Sequence, residues 1–228
     1  FKSHYSLGRS ILTLKGAKDP SETHSSDSIF DICEDAGLKE LFIVDDNMSG
    51  FLEAYQQTEE LKIKLIFGLR LTFCPDASNK TEDGRRNSYK KIIFLRNAEG
   101  YKQLIKIYTF AAQEGFYYEP RIDMETLKSF WTKDLLLAVP FYDSFLYNNK
   151  YTASQCVPDL SFADPVFFIE DNDVLIDKDL KERVLEFCSN KYPIQRVKSI
   201  YYRDRDDFPA YLTFKCINKR TSVEKPNF

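Results

Sequence analysis

The chain has 228 residues, of which 43% are hydrophobic and 29% are charged, and its formal net charge at pH 7 is -3. This length suits one α/β barrel or two smaller domains, and the acidic balance excludes a chain that binds nucleic acid through overall positive charge. No apolar run approaches the roughly 20 residues that a transmembrane helix needs, so no membrane association is expected.

Apolar runs of strand length alternate with amphipathic segments along the whole chain. Strands are predicted at 41–44, 63–67, 92–95, 135–139 and 166–169. Helices are predicted at 28–36, 51–60, 98–112, 124–130 and 178–189. This alternation predicts a mainly parallel sheet, either open or closed into a barrel, within a single domain over residues 1–228. Two polar stretches, 74–88 and 148–165, are predicted to be surface loops.

The predicted helices begin at residues whose side chains cap free backbone N–H groups. The first helix is capped by Ser25, Ser26 or Asp27 and ended by Gly37. The N-caps of three later helices are Asn97, Asp123 and Asp177.

Five cysteines lie far apart, and no two of them form a C-x-x-C pair. An odd number at wide spacing argues against a disulfide framework and favours a reducing compartment. We therefore expect a cytoplasmic protein in which the cysteines serve mostly as small buried hydrophobic residues.

Histidine, a common ligand in zinc and iron sites, is rare in this chain. The only histidines are His4 and His24, whereas a multinuclear site needs about four ligands per metal. The sequence also lacks a phosphate-binding glycine loop and a G-x-S-x-G elbow. One acidic pair, Asp45-Asp46, follows a predicted strand, where it can hold a divalent ion, act as acid and base, or cap the next helix.

Aromatic residues mix with charge in two segments, Phe116-Tyr-Tyr118 and Ile200-Tyr-Tyr-Arg203. Such segments can stack on single-stranded bases, but packing in a core or interface is the commoner use of aromatic side chains.

The segment Glu114-Gly-Phe-Tyr-Tyr-Glu-Pro-Arg-Ile-Asp123 resembles the G-F-Y-Y-x-P-R-I-D signature of the PHP domain in C-family DNA polymerases, the alpha subunit of bacterial DNA polymerase III. Weaker matches in the same order extend the resemblance over residues 1 to 224. They are Tyr5-Ser-Leu7, Val44 to Gly50, Arg96 to Tyr101 and Val197 to Tyr202. The resemblance implies a distorted seven-stranded (β/α) barrel of the PHP type, which is TIM-like, and a longer parent chain with DNA polymerase activity.

Active members of this family hold metals with His, Asp, Glu and Cys side chains at set positions. By the resemblance, these positions fall on Lys2, Asp45, Asp46, Arg70, Lys90, Phe141, Ser199 and Tyr201. Only Asp45 keeps its ligand type, so we expect no catalytic residue and no bound cofactor. Zn, Mn or Mg would be the ions of an active site, with Asp45 the foremost ligand.

The sequence therefore predicts a degenerate, non-catalytic PHP domain with a structural or partner-docking role in DNA replication. By the resemblance, its partners are the polymerase body or other replication proteins, including a proofreading exonuclease. A metal-dependent PHP phosphoesterase (a 3′–5′ exonuclease or a pyrophosphatase) is one alternative. The other is a nucleic-acid-binding module that contacts DNA through a basic patch of Arg70, Arg85, Arg86, Lys90 and Lys91.

Overall fold

The computed structural model describes residues 2–6, 9–14, 27–219 and 221–223, with backbone alone for 2–6 and 218–219. The predicted caps Ser25 and Ser26, the residue His24 and the side chains of Lys2 and His4 lie outside this part. Among the described residues, no helix combines the length and apolar character that crossing a bilayer requires.

Strands and helices alternate through the described residues, which confirms the α/β class. The strands are β1 (Lys2–Ser6), β2 (Glu40–Asp45), β3 (Lys64–Phe73), β4 (Tyr89–Leu95), β5 (Arg121–Ile122), β6 (Leu135–Val139), β7 (Val166–Ile169) and β8 (Ile194–Ile200). The helices are α1 (Ile29–Asp35), α2 (Phe51–Leu61), α3 (Glu82–Arg86), α4 (Ala98–Ala112), α5 (Met124–Phe130), α6 (Phe145–Tyr151), α7 (Leu175–Cys188) and α8 (Phe208–Lys219). The closed seven-stranded barrel stays a prediction.

The predicted helix starts are confirmed at two positions and corrected at two others. Asn97 and Asp123 accept hydrogen bonds from the backbone N–H groups of Gly100 and Thr126, as N-caps do. Helix α1 is instead capped by Ser28, whose hydroxyl accepts from Phe30 N–H at 3.1 Å. Asp177 lies inside α7 rather than before it, and its carboxylate accepts from Val174 N–H.

The chain divides into two compact units, and each is described by itself. The first unit comprises Phe1–Lys2 and Gly68–Lys198, and the second comprises Ser3–Phe67 and Ser199–Phe228. Strand β3 contributes its residues from Gly68 onward to the first unit and its earlier residues to the second. A single domain over residues 1–228 stays a prediction.

In the first unit the strands follow the order β8-β7-β6-β4-β3-β5. The pairs β3–β5, β6–β7 and β7–β8 are parallel, whereas β4 runs antiparallel to both β3 and β6. Thr72 pairs with Lys90, and Ile92 pairs with Ala138. Because β4 is reversed, its first residues lie where β3 and β6 end. The sequence predicted a mainly parallel sheet but not this reversal.

The second unit packs α1, α2 and α8 with the short strands β1 and β2. These strands are parallel, with Tyr5 opposite Ile43. The ring of Phe51 on α2 meets the ring of Phe67 edge-on, with the ring centroids 4.9 Å apart. This contact joins the helix to the first part of β3, which belongs to this unit. Gly37 ends α1 with a φ of 62°, as predicted from its position.

Buried Arg121 holds the loop after β3 in the first unit. The side chain is only 1% exposed. Its guanidinium donates to the carbonyl oxygens of Gly115, Ala77 and Asn79 at 3.2–3.4 Å. Gly115 has no room for a side chain, because a Cβ there would lie 2.0 Å from the carbonyl oxygen of Arg121. The residue before the signature aromatics must therefore be glycine.

We expect Gly115→Ala to lower the free energy of unfolding by about 1–3 kcal/mol, because the added methyl group forces the backbone of β5 to move. Urea unfolding followed by circular dichroism measures this change. Gln113→Ala, at an exposed position two residues earlier, is the control, and its effect should stay within about 0.5 kcal/mol. Equal stability of Gly115→Ala and the parent would contradict the close approach.

Candidate functional site

Two of the predicted site positions, Arg70 and Lys90, lie at the end of the first unit's sheet where β3 and β6 finish. Arg70 and Thr72 alternate with buried Leu69 and Leu71 along β3, so both polar side chains lie on one face of the strand. Lys90 stands opposite Thr72 on β4. Their placement follows from the reversed direction of β4.

Lys90, Thr72 and Glu119 are joined by hydrogen bonds, and together with the pair Arg70–Asp143 they form the polar group of the first unit. Its Nζ lies 2.7 Å from Oε2 of Glu119 and also donates to the hydroxyl of Thr72. The Thr72 hydroxyl in turn donates to the same Glu119 oxygen at 2.7 Å. The Lys90 side chain is 21% exposed, so solvent screens this pair less than it screens a surface pair.

Arg70 pairs with Asp143, which lies in the loop after β6. Nη1 of Arg70 is 3.2 Å from Oδ2 of Asp143, and the Arg70 side chain is 11% exposed. The backbone carbonyl of Asp143 accepts from the N–H of Lys90 at 2.7 Å. One loop residue thus binds both predicted site residues, and the structure brings Arg70 and Lys90 together.

A third predicted position in this unit, Phe141, is a core residue. Its ring is fully buried and packs edge-on against Tyr142 at 4.9 Å. It has no atom that can ligate an ion. Arg70 and Lys90 are balanced in charge by Asp143 and Glu119.

Asp45, in the second unit, ends β2 and organises the turn into α2. Its side chain is buried, with 2% exposure. Oδ1 accepts from Asn47 N–H at 3.2 Å, and Oδ2 accepts from Gly50 N–H at 3.4 Å. Burial raises the pKa of Asp45, and these backbone hydrogen bonds oppose the rise. Capping of the next helix was one use predicted for the acidic pair, but the N-cap of α2 is Gly50 without a side-chain hydrogen bond, and Asp45 holds the preceding turn instead.

The remaining predicted positions are Asp46, Ser199, Tyr201 and Lys2. Asp46 follows Asp45 in the same turn, and Ser199 lies near the end of β8. Tyr201 stacks on Tyr211 with ring centroids 5.5 Å apart, and its carbonyl accepts from the Ser10 hydroxyl. Lys2 lies in β1, and its side chain is outside the described part. Within the described residues, no three His, Cys, Asp or Glu side chains converge as a metal-binding group.

Lys91, predicted to contribute to a basic patch, is wholly buried on the opposite face of β4 from Lys90. Its exposure is 0%, and Nζ lies 3.2 Å from the sulfur of Met124, 5.3 Å from the Phe73 ring centre and 5.4 Å from that of Tyr89. Burial lowers its pKa to about 7, against smaller opposing effects of nearby Cys156 and Asp159. A surface patch that includes Lys91 is therefore excluded.

Sequence reasoning missed three residues of the polar group: Thr72, Glu119 and Asp143. Of the three, only Glu119 could have been found from the sequence. It lies inside the signature segment 114–123, at the position that varies in the signature, and it is acidic. Asp143 carried no signal, because its role depends on a backbone φ of 59° and on the reversal of β4.

Comparison with known proteins shows the family to which the chain belongs. The family profile described as "PHP domain" matches residues 20–146, more than half of the chain. The chain therefore belongs to the PHP domain family.

Within that family, the chain is similar to DNA polymerase III subunit alpha. The protein from Aquifex aeolicus is 25% identical over 195 residues, which cover 78% of this chain and 17% of that protein. The Treponema pallidum protein is 27% identical over 195 residues, covering 79% and 16%. The Borreliella burgdorferi protein is 33% identical over 86 residues, covering 37% and 8%. The chain thus spans less than a fifth of the length of these relatives.

Replacing Asp45 tests its part in the turn before α2. We expect Asp45→Ala to lower the free energy of unfolding by about 1–3 kcal/mol, since two partly buried N–H groups lose their acceptor. Asp45→Asn should lose less, because it keeps one oxygen and removes a charge that burial disfavours. Urea titration measures both variants, with exposed Glu60→Ala as the control on α2. Equal losses in Asn and Ala variants would speak against this account.

Replacing Lys91 tests the cost of its burial. Its folded-state pKa lies below the ordinary value of 10.5. The unfolded chain therefore binds a proton that the folded chain lacks between about pH 7 and 10.5, and stability rises with pH across this window. We expect Lys91→Met to raise the free energy of unfolding by about 1–4 kcal/mol below pH 7, with the gain fading towards pH 10.5.

Urea unfolding at pH 6 and at pH 9.5 gives the two values for Lys91→Met. Exposed Lys106→Met is the control and should show a small effect that does not depend on pH. A Lys91→Met variant that is less stable than the parent at pH 6 would mean that the ammonium has a stabilising partner.

Proposed function

We propose that this chain is a degenerate PHP domain that catalyses no reaction itself and serves a replicative DNA polymerase as a structural part or docking platform. The observation that carries the proposal is the pairing of Arg70 with Asp143 and of Lys90 with Glu119. By the resemblance, both basic residues occupy positions that hold metal ligands in active members.

The chemistry of these side chains does not suit a metal cluster. Guanidinium and ammonium groups are donors without a free lone pair, so neither can coordinate a cation while protonated. Their positive charge also repels a metal ion placed nearby. The carboxylates that could serve as ligands, Glu119 and Asp143, are already bound to Lys90 and Arg70.

The ion pairs support a structural role in place of the metals. Asp143 joins the loop after β6 to β3 through Arg70 and to β4 through its own carbonyl. Glu119 joins the segment before β5 to Thr72 and Lys90. In this proposal the side chains do the cross-linking that a metal cluster does elsewhere, and the ends of the strands stay fixed without ions.

Exposed aromatic residues support the docking part of the proposal. Phe116 is 47% exposed and Tyr118 is 67% exposed, although both have large apolar rings. The guanidinium carbon of Arg85 lies 4.8 Å from the centre of the Tyr118 ring. Aromatic residues and arginine are the types that contribute most to protein–protein binding. The partners we propose are the polymerase body, another replication protein or a proofreading exonuclease, in the cytoplasm.

The proposal is tested by measuring metal content and hydrolysis on the purified chain. After exposure to Zn²⁺ or Mn²⁺ and desalting, we expect elemental analysis to find substoichiometric metal. We also expect no release of nucleotide from a 3′-labelled single-stranded oligonucleotide and no hydrolysis of pyrophosphate. The Asp45→Ala and Glu60→Ala variants, measured in parallel, should match the parent in both assays.

Stoichiometric Zn or Mn together with hydrolysis that disappears in Asp45→Ala but not in Glu60→Ala would overturn the proposal. That result would establish the metal-dependent phosphoesterase instead. Because the stability of Asp45→Ala is measured separately, loss of activity through unfolding is distinguishable from loss of a ligand.

A further inference from the structure

A cavity of about 150 Å³ opens in the first unit beside strand β8. Three of its lining residues are basic, namely Lys181, Arg196 and Lys198. Neither Arg70 nor Lys90 lines this cavity, so it is distinct from the polar group. Its volume has room for several water molecules, and hence for one or two tetrahedral oxyanions.

The three cations reach the cavity from two different elements. Arg196 and Lys198 are two residues apart on β8, so they lie on one face of the strand about 6–7 Å apart, and Val197 between them also lines the cavity. Arg196 stands opposite Ile169, the last residue of β7. Lys181 comes from α7, the helix that joins these two strands. Charges fixed on a helix and a strand surround a bound anion better than a row along one element.

These cations lack the acidic partners that other cations of the unit have. Within residues 27–219, no ion pair includes Lys181, Arg196 or Lys198, whereas Arg70, Lys90 and Lys150 each pair with a carboxylate. Three unpaired positive charges around one cavity repel one another, and an anion bound among them removes that repulsion.

The acidic residues of the cavity leave its balance positive. Glu170 is 7% exposed, and its Oε2 accepts from the amide of Asn172 at 3.2 Å, so this carboxylate is already engaged. Asp171 is exposed at the rim. Three positive charges face two negative ones, and the guanidinium of Arg196 can bind two oxygens of one oxyanion at once.

We propose that this cavity binds a phosphate group. The group can belong to a free anion, such as inorganic phosphate or pyrophosphate, or to the backbone of a single-stranded nucleic acid. Both sources present a tetrahedral phosphate oxyanion to the three cations, singly charged in each backbone phosphodiester and more highly charged in pyrophosphate. The proposal needs no metal and does not depend on whether the chain is catalytic.

Binding to the 228-residue chain tests the proposal. Isothermal titration with inorganic phosphate and with pyrophosphate gives the affinity for free anions, and fluorescence anisotropy with a labelled single-stranded oligonucleotide gives that for a backbone. We expect saturable binding in one arm, weakened about tenfold or more in Arg196→Gln and in Lys198→Gln, because each loses a charge-assisted contact.

Lys178→Gln is the matched control, since Lys178 is exposed on α7, carries the same charge and does not line the cavity. Its affinity should stay within about twofold of the parent in 0.15 M salt, where distant charges are screened. Circular dichroism checks that each variant is folded. The proposal fails if no arm shows saturable binding, or if Lys178→Gln loses as much affinity as Arg196→Gln.

Discussion

The direction of β4 is the constraint on which the polar group of the first unit depends. Were β4 parallel to its neighbours, Lys90 would begin the strand at the end opposite to Thr72 and Asp143. Its reversal brings the ammonium of Lys90 to the place where β3 and β6 finish, within reach of Thr72 and Glu119. The loop after β6 then needs only one residue, Asp143, to bind Arg70 through its side chain and Lys90 through its backbone.

Two consecutive lysines on β4, Lys90 and Lys91, have side chains in different environments. Lys90 and Lys91 point to opposite faces, as successive strand residues must. Lys90 meets a carboxylate and keeps part of its contact with water. Lys91 enters the core between Phe73 and Tyr89, where ring faces and the Met124 sulfur replace both water and a counter-ion. A carboxylate pairs with the first ammonium, and burial destabilises the second.

The periodicity of apolar residues predicted ten helices and strands correctly but missed several others. The five predicted strands and five predicted helices are present, because each has a strong apolar run or face. Strands β1, β5 and β8 were missed, and β8 mixes Arg196 and Lys198 with apolar residues on a half-exposed strand. Helices α3, α6 and α8 were also missed: α3 lies within a predicted loop, α6 runs into one, and α8 was not predicted although it has 12 residues. A chain read without its fold offers no signal for the reversal of β4.

Sequence reasoning gave two residues of the candidate site, and the metal-site assignment of the eight positions stays a prediction. The resemblance located Arg70 and Lys90, and the structure places both at one end of one sheet. Asp143 could not be found as a partner, since it lies 73 residues from Arg70, whereas Glu119, 29 residues from Lys90, lies at the variable position of the signature segment. Asp45 had been weighed as both ligand and cap, and its two backbone hydrogen bonds satisfy its carboxylate locally.

Three residues of the segment that carries the family resemblance, Gly115, Arg121 and Asp123, serve the fold. Gly115 makes room for the backbone of Arg121, and Arg121 binds three carbonyl oxygens of the neighbouring segments. Asp123 caps α5 and accepts from Ala77 N–H. These contacts join the segment to its neighbours within the fold, so the segment's structural role does not depend on the chemistry at the strand ends. Similarity in this segment therefore reports shared architecture, and chemistry has to be judged from the side chains at the strand ends.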